Sequence, residues 1–474
     1  MKSVANFLTA LQKTAEFAPK SEVPAKVILE PVECAHYAQD WSASLTPQAS
    51  AVIFPTSTYE VSICLKLALE HGVSIVPSGG RTGLSGGAVA TGGEVVLSLT
   101  RLNWMKPVQV SSMSVQVGAG AITEAVHEHC KPYGLTWPVD FASKGSSTVG
   151  GNLATNAGGV RVIRYGNTRQ WVLGITAVTM DGAIHHFNGE LEKNNTGYDF
   201  RQLLIGSEGT LAVITEATLK LAPLPASQTA FLFALPDLAA VLRLFKWARP
   251  RVRGLSAFEY LDQACMNSVL EHFGWNSPFQ SAESKSAQAF VLMEVENTTP
   301  DECSTWLGEI FEQGLVLDGL LADQAKDFQK FWQFREGVAE SILAGHRVHQ
   351  EDVSVPVAKL PEFYASAHER YARALPGMKI FFFGHIGDGN LHIFIQKPES
   401  LNESEFYDLT HRTDLELFQL LKTLSGSVSA EHGIGLLKKH ALSFSRTPAE
   451  ITLMKGLKLA FDPKRLLNPG KIFD

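Results

Sequence analysis

The stretch Pro77-Ser78-Gly79-Gly80-Arg81-Thr82-Gly83-Leu84-Ser85-Gly86-Gly87 decides how the chain is read, because five of its eleven positions are glycine. Glycine takes positive φ without a Cβ clash, so successive N–H groups can turn into one concavity. Such a concavity binds oxyanions, and Ser78, Thr82 and Ser85 add hydroxyls. The spacing Gly80-x-x-Gly83-x-x-Gly86 is not the Rossmann fingerprint, and no Gly-Lys-Ser/Thr closes it as in a P-loop. A flexible surface loop is the plain alternative.

The flanks read as α/β layering. Residues 51–55 form a short apolar strand, and residues 58–71 an amphipathic helix with Val61, Leu65, Ala68 and Leu69 on its inner face. Strands follow at 73–77, 94–99 and 114–117, then a helix at 122–130. A second small-residue region reads Lys144-Gly145-Ser146-Ser147-Thr148-Val149-Gly150-Gly151-Asn152-Leu153-Ala154-Thr155-Asn156-Ala157-Gly158-Gly159. So little bulk contributes poorly to a core, so this region is expected to lie against a flat ligand. Two such loops in one block point to a dinucleotide. Strands at 172–180 and 211–221 complete the block, the first turning at Asp181-Gly182, and Ala222-Pro223-Leu224-Pro225 closes it. Three spans result: 1–225, 226–425 and 426–474.

Composition narrows the function classes. At roughly 150 residues per domain, a chain of 474 residues makes two or three. It is 45% hydrophobic and 19% charged, too apolar for disorder. A net charge of -7 without a Lys/Arg block argues against general nucleic-acid binding. Five scattered cysteines without a CxxC exclude a disulfide framework and a cysteine zinc site, which suits a reducing cytoplasm. The N-terminus lacks an apolar signal core, and no run of 18 apolar residues occurs, so a membrane span is not expected; peripheral attachment stays open.

In this order, the two loops resemble the flavin-binding domain of the vanillyl-alcohol oxidase superfamily. The resemblance implies an α+β / α/β fold, with a two-subdomain FAD-binding domain (1–225) and an α+β substrate-binding domain (226–425). A C-terminal helical segment (426–474) would return to the flavin. Asn194-Asn195-Thr196-Gly197-Tyr198-Asp199 and Gly206-Ser207-Glu208-Gly209-Thr210-Leu211 agree with it, and in that family they lie beside the flavin. By the match, FAD contacts are expected from Pro77, Gly79, Gly80, Arg81, Thr82, Gly83, Leu84 and Gly86 of the first loop. The second loop would add Ser146, Gly150, Gly151, Asn152, Thr155, Asn156 and Gly158, with Glu208, Gly209 and Asn468 from later segments. Relatives that attach FAD covalently carry a histidine where this chain has Arg81, so the cofactor is expected to be non-covalent.

A second constellation follows residues 379–383: Gly384-His385-Ile386-Gly387-Asp388-Gly389-Asn390-Leu391-His392. With Asp388-Gly389 as a tight turn, His385 would pair with His392 and the imidazoles would stand on one face. That suits Zn²⁺ or another divalent cation. In Ser429-Ala430-Glu431-His432-Gly433-Ile434-Gly435, Glu431 can complete a His-His-carboxylate set and His432 can act as general base. These segments resemble FAD-dependent dehydrogenases of D-2-hydroxy acids, the D-lactate and D-2-hydroxyglutarate branch. The match implies His385, His392 and Glu431 as metal ligands and His432 as catalytic base.

Arg335 offers a bidentate guanidinium suited to a substrate carboxylate; a surface arginine is the alternative. The match favours the first. Two departures count against a second substrate carboxylate. Hydroxyglutarate-oxidising relatives have a lysine just before Asp-x-Ser-x-Pro, where this chain reads Gln350-Glu351-Asp352-Val353-Ser354-Val355-Pro356. They also have an asparagine where Phe394 stands. The expected reaction is oxidation of a D-2-hydroxy acid to the 2-oxo acid, with hydride passing to flavin and electrons to a quinone, an electron-transfer flavoprotein or a cytochrome. A homodimer stays open. The rivals are a metal-dependent hydrolase with phosphate-binding glycine loops and a flavin-binding partner protein without catalysis.

Overall fold

The computed structural model describes residues 2–17, 26–42 and 44–474; Met1, first in the stretch read for a signal sequence, lies outside them. The chain divides into two compact units. The first comprises Met1–Gly158, Asn167–Leu224 and Glu431–Asp474, and the second Gly159–Gly166 and Pro225–Ala430.

The first unit contains two four-stranded sheets. In one, Ala49–Ile53, Glu94–Ser98 and Ile75–Ser78 run parallel in that spatial order. Helix Thr58–His71 covers them. It starts where Ser57 accepts a hydrogen bond from the Glu60 N–H and ends at Gly72, whose φ of 66° is left-handed. Val61, Cys64, Leu65 and Ala68 are its buried apolar residues, with Leu69 at the margin. The second sheet is antiparallel, ordered Ser114–Gly118, Val213–Lys220, Val172–Val178, Ile184–Phe187. The final segment is tied in through Lys458, whose Nζ donates to Thr210 O, Leu467 O and Asp462 Oδ2.

The second unit is built on a seven-stranded antiparallel sheet. Its order is Asp318–Ala322, Gln228–Leu235, Ala289–Glu296, Leu255–Asp262, Ile380–Gly384, Asn390–Gln396, Val348–Ser354. Helices Gln263–Phe273 and Ala325–Leu343 pack on one face with Leu232, Leu261, Leu292, Phe383 and Phe394. Side chains alternate between faces along a strand, so this same face also carries Glu259, Glu294, Glu296, Asp352 and His392. Ionisable groups inside an apolar layer need partners, and those of Glu259, Asp352 and His392 mark the candidate site.

One expectation is corrected. His385 does not pair with His392; Phe383 does. The loop is His385 to Gly389 rather than Asp388-Gly389 alone, with the Asp388 and Asn390 N–H groups converging on His385 O at 3.2 and 3.3 Å. Gly389 has φ 89°, and a Cβ there would lie 2.1 Å from Val355 O, so the loop is moulded against the neighbouring chain. The register shift equals two residues, one full strand period, so both imidazoles still share a face as diagonal neighbours.

Candidate active site

In the first unit the small-residue segments converge. A Cβ on Gly79 would lie 2.3 Å from Thr148 Oγ1, and one on Gly80 would lie 2.1 Å from Ser146 O. The two loops therefore meet backbone against backbone at Gly80, while at Gly79 the Thr148 side chain takes the space a Cβ would fill. Asn468 joins them to Gly206–Leu211: its Nδ2 donates to Gly87 O at 3.0 Å and Glu208 O at 2.8 Å. The Gly209 Cβ position is 3.3 Å from Pro77 Cγ. Arg81, Asn156, Glu208 and Asn468 all hold positive φ, between 45° and 59°. Strain of that kind gathers where a ligand dictates the backbone. Glu208 accepts hydrogen bonds from the N–H groups of Ile434 and Gly435, at 2.8 and 2.7 Å, and burial pushes its carboxyl up. A Cβ on Gly158 would lie 2.5 Å from Glu431 Oε1, and Ser85 Oγ donates to His432 O at 2.8 Å.

Several expected contact residues serve the protein itself. Asn152 Nδ2 donates to Thr123 Oγ1 at 2.7 Å, and Thr155 Oγ1 to Gly151 O. Asn156 ends helix Val149–Thr155 in a left-handed conformation and accepts from the Arg169 N–H. Gly150 makes room for Ala119, whose Cβ would lie 2.7 Å away. The Arg81 guanidinium turns to His36 O and lies over the Tyr37 ring at 4.9 Å. Gly86 N–H donates to Asp40 Oδ2, and Trp41 N–H to Gly83 O. Residues 194–199 are exposed throughout.

Six buried polar atoms of this unit have no partner among the described residues, and three of them belong to these segments: Ser78 Oγ, Thr148 Oγ1 and Asn468 Oδ1. Each such atom costs about 1–3 kcal/mol when left unmet. Hydroxyls and an amide beside glycine-lined backbone suit FAD, which presents a pyrophosphate and a flat ring with polar edges. The residues fit the cofactor. Ser78 stood in the first motif, but Thr148 went unselected because nothing in sequence distinguishes a ligand hydroxyl from a helix cap.

In the second unit the imidazoles of His385 and His392 stand 5.4 Å apart, edge to face. His385 Nδ1 lies 2.8 Å from both oxygens of Glu259. A carboxylate only accepts, so Nδ1 carries a proton, and in the neutral ring Nε2 is the nitrogen left to take a cation. His392 Nδ1 lies 3.5 Å from Asp352 Oδ1. An imidazole backed by an acid is the usual arrangement of a metal-binding histidine, so this donor pair fits a divalent cation. Glu431 directly follows Ala430, whose N–H donates to Asp352 Oδ2 at 3.1 Å. Arg335 is buried, not on the surface. Its Nε donates to Glu259 Oε2 at 2.9 Å, and its guanidinium lies over the Phe383 ring at 5.2 Å. Gln350 pairs across the strands with Phe394, which packs edge-on against Phe383. Glu259 and Asp352 were not selected from sequence. The available signal was an acid inside an apolar strand, as in Leu255-Ser256-Ala257-Phe258-Glu259-Tyr260-Leu261.

Residues 49–188 match an FAD binding domain, and residues 224–472 match the C-terminal domain of FAD linked oxidases. Over 465 residues the chain is 42% identical to a D-2-hydroxyglutarate dehydrogenase of Xanthomonas citri pv. viticola, covering 95% of both chains. It is 39% identical to one from Stutzerimonas stutzeri (95% and 96% covered) and 34% identical to a mitochondrial one from Bos taurus (95% and 81%). The chain belongs to the FAD-dependent D-2-hydroxy acid dehydrogenase family.

As a member of that family it is an FAD-dependent oxidoreductase, and the hydrolase alternative finds no support among its relatives. Among solved structures, p-cresol methylhydroxylase has a TM-score of 0.77 at 14% identity, covering 100% of this chain and 98% of that one. 4-Ethylphenol oxidase from Gulosibacter chungangensis has a TM-score of 0.75 at 16% identity, covering 100% and 97%. At such identities the likeness speaks for the fold, which is that of the vanillyl-alcohol oxidase type. Among the described residues no helix is long and apolar enough to cross a membrane.

Proposed function

We infer that the protein oxidises a D-2-hydroxy acid to its 2-oxo acid, with D-2-hydroxyglutarate the first substrate to test because its relatives carry that name. The observation that carries this reading is the acid-backed pair His385 and His392 beside the buried Arg335. When bound, FAD supplies the acceptor for the hydride leaving Cα, and a divalent cation supplies positive charge that makes the 2-hydroxyl more acidic.

The chain's own residues do the rest. His385, His392 and Glu431 are the proposed ligands of the cation, and Arg335 holds the substrate carboxylate through its Nη edge, since Nε is engaged by Glu259. His432 takes the hydroxyl proton, a contribution typically worth about 10²–10⁴-fold. FAD is held without a covalent bond by the glycine loops, Glu208, Gly209 and Asn468.

Phe394 favours a second reading of the substrate. Its ring lies 4.9 Å from that of Phe383, and it shares its face with Arg335's anchor strand. An apolar tail or a monocarboxylate such as D-lactate suits that surface better than a second carboxylate.

The test is anaerobic addition of D-2-hydroxyglutarate, D-malate, D-lactate and longer D-2-hydroxy acids to the yellow protein, with the L-enantiomers as controls. Bleaching of the flavin bands by a D-acid and not its L-form is expected, and abolished by chelation. No bleaching by any of them would remove this reading.

A further inference from the structure

Glu259 lies on strand Leu255–Asp262 and is 1% exposed. Its strand register places Leu261 opposite Phe383, so Glu259 reaches the same face two residues along, beside His385. Both carboxylate oxygens lie 2.8 Å from His385 Nδ1, and Oε2 also accepts from Arg335 Nε at 2.9 Å. One buried acid therefore holds two functional side chains from two different elements, a loop and the helix Ala325–Leu343.

A nearby acid shows what a structural carboxylate looks like on this face. Glu294 accepts from Ser256 Oγ, Arg161 Nε and Nη2, and Trp332 Nε1, all between 2.7 and 3.0 Å. Trp332 is one helical turn before Arg335, so Glu294 anchors the same helix. It touches neither imidazole in any recorded hydrogen bond, which makes it a matched control.

We propose that Glu259 is a positioning residue that sets the separation between the cation's ligand and the substrate's carboxylate anchor. Its acceptance of the Nδ1 proton leaves Nε2 as the donor nitrogen of His385 and raises that nitrogen's basicity. Its bond to Nε fixes the guanidinium plane, so the Nη edge is presented in one orientation. A 2-hydroxy acid spans the two points with its hydroxyl and carboxylate, so the spacing selects for that substrate shape. This rests on the function inferred above.

Glu259→Gln removes the charge and replaces one acceptor oxygen by an NH₂ group that only donates, so a single neutral oxygen is left for the two donors. The holoenzyme is loaded with Zn²⁺ alone, and its affinity is read by competition with a chromophoric chelator. The KM and kcat for the best D-2-hydroxy acid are read at saturating Zn²⁺. The expected result is Zn²⁺ affinity lowered by about 10- to 100-fold and KM raised by about tenfold. Glu294→Gln should lower the melting temperature and leave both values near wild type. Wild-type affinity and KM in Glu259→Gln, or equal losses in both variants, overturn the proposal.

If Glu259→Gln fails to retain FAD, the wild-type protein decides with ¹⁵N-labelled histidine and zinc removed. The resonance missing in His385→Gln must show the Nδ1–H tautomer, and an Nε2–H tautomer overturns the assignment. A wild-type protein that binds no Zn²⁺ and turns over no D-2-hydroxy acid removes the functional reading and this proposal together. That outcome is distinct from an active wild type with an indifferent variant.

Discussion

Around Gly80 the first unit packs backbone on backbone, whereas around Glu259 the second unit packs charge against charge. In the first, a cofactor site is made by leaving side chains out, and the polar atoms kept unmet are hydroxyls and an amide. In the second, the buried acids on the sheet face have cationic or imidazole neighbours: Glu259 with His385 and Arg335, Glu294 with Arg161, Glu296 with Arg164, Asp352 with His392. Large ligands with many polar edges are met by exposed backbone. The proposed small ligand would be met by a few charges whose positions other buried charges hold. The two designs should fail differently.

The sharpest separation comes from His385→Ala or His392→Ala. Turnover should fall by about 10³-fold or more, since the cation proposed for this pair would supply several kcal/mol as a Lewis acid, while the flavin absorbance per protein stays at the wild-type value. Loss of flavin in these variants would erase the distinction between the two regions.

The converse is Gly80→Ala in the first unit. Its Cβ would meet Ser146 O at 2.1 Å and force the loops apart. Overpacking of this sort costs about 1–3 kcal/mol, so FAD affinity measured by fluorescence titration should drop one to two orders of magnitude. Zn²⁺ affinity should be unmoved; a parallel loss there would break the comparison.

The smallest effect concerns Lys471, a buried cation of the first unit whose Nζ donates to Val89 O. Burial pushes its ammonium down to about 8. Between that value and the ordinary lysine range the unfolded chain binds the additional proton, so this group makes stability rise with pH across that window. Melting temperatures taken through it should climb in the wild type more than in Lys471→Met. Identical slopes would show that Lys471 carries no such linkage.

Legibility followed the same division. Helix Thr58–His71 was readable to the residue because its ends are written locally, in Ser57 with Glu60 and in Gly72. The glycine loops were readable because the absence of side chains is itself a sequence signal. The hairpin was misread by one strand period, since Asp388-Gly389 predicts a tight turn while contact with Val355 widens it. Glu259 escaped notice because its partners lie 126 and 76 residues away.

By itself the sequence determined the α/β block with its flavin loops, the family, and the two histidines bound for one face. These are properties of local geometry and of short motifs, where spacing along the chain is spacing in space. Only the tertiary structure decided the register at His385, the burial of Arg335 and the carboxylates behind the imidazoles. Such pairings are made by strands distant in sequence, and a buried charge is tolerable only once folding has delivered its counterpart.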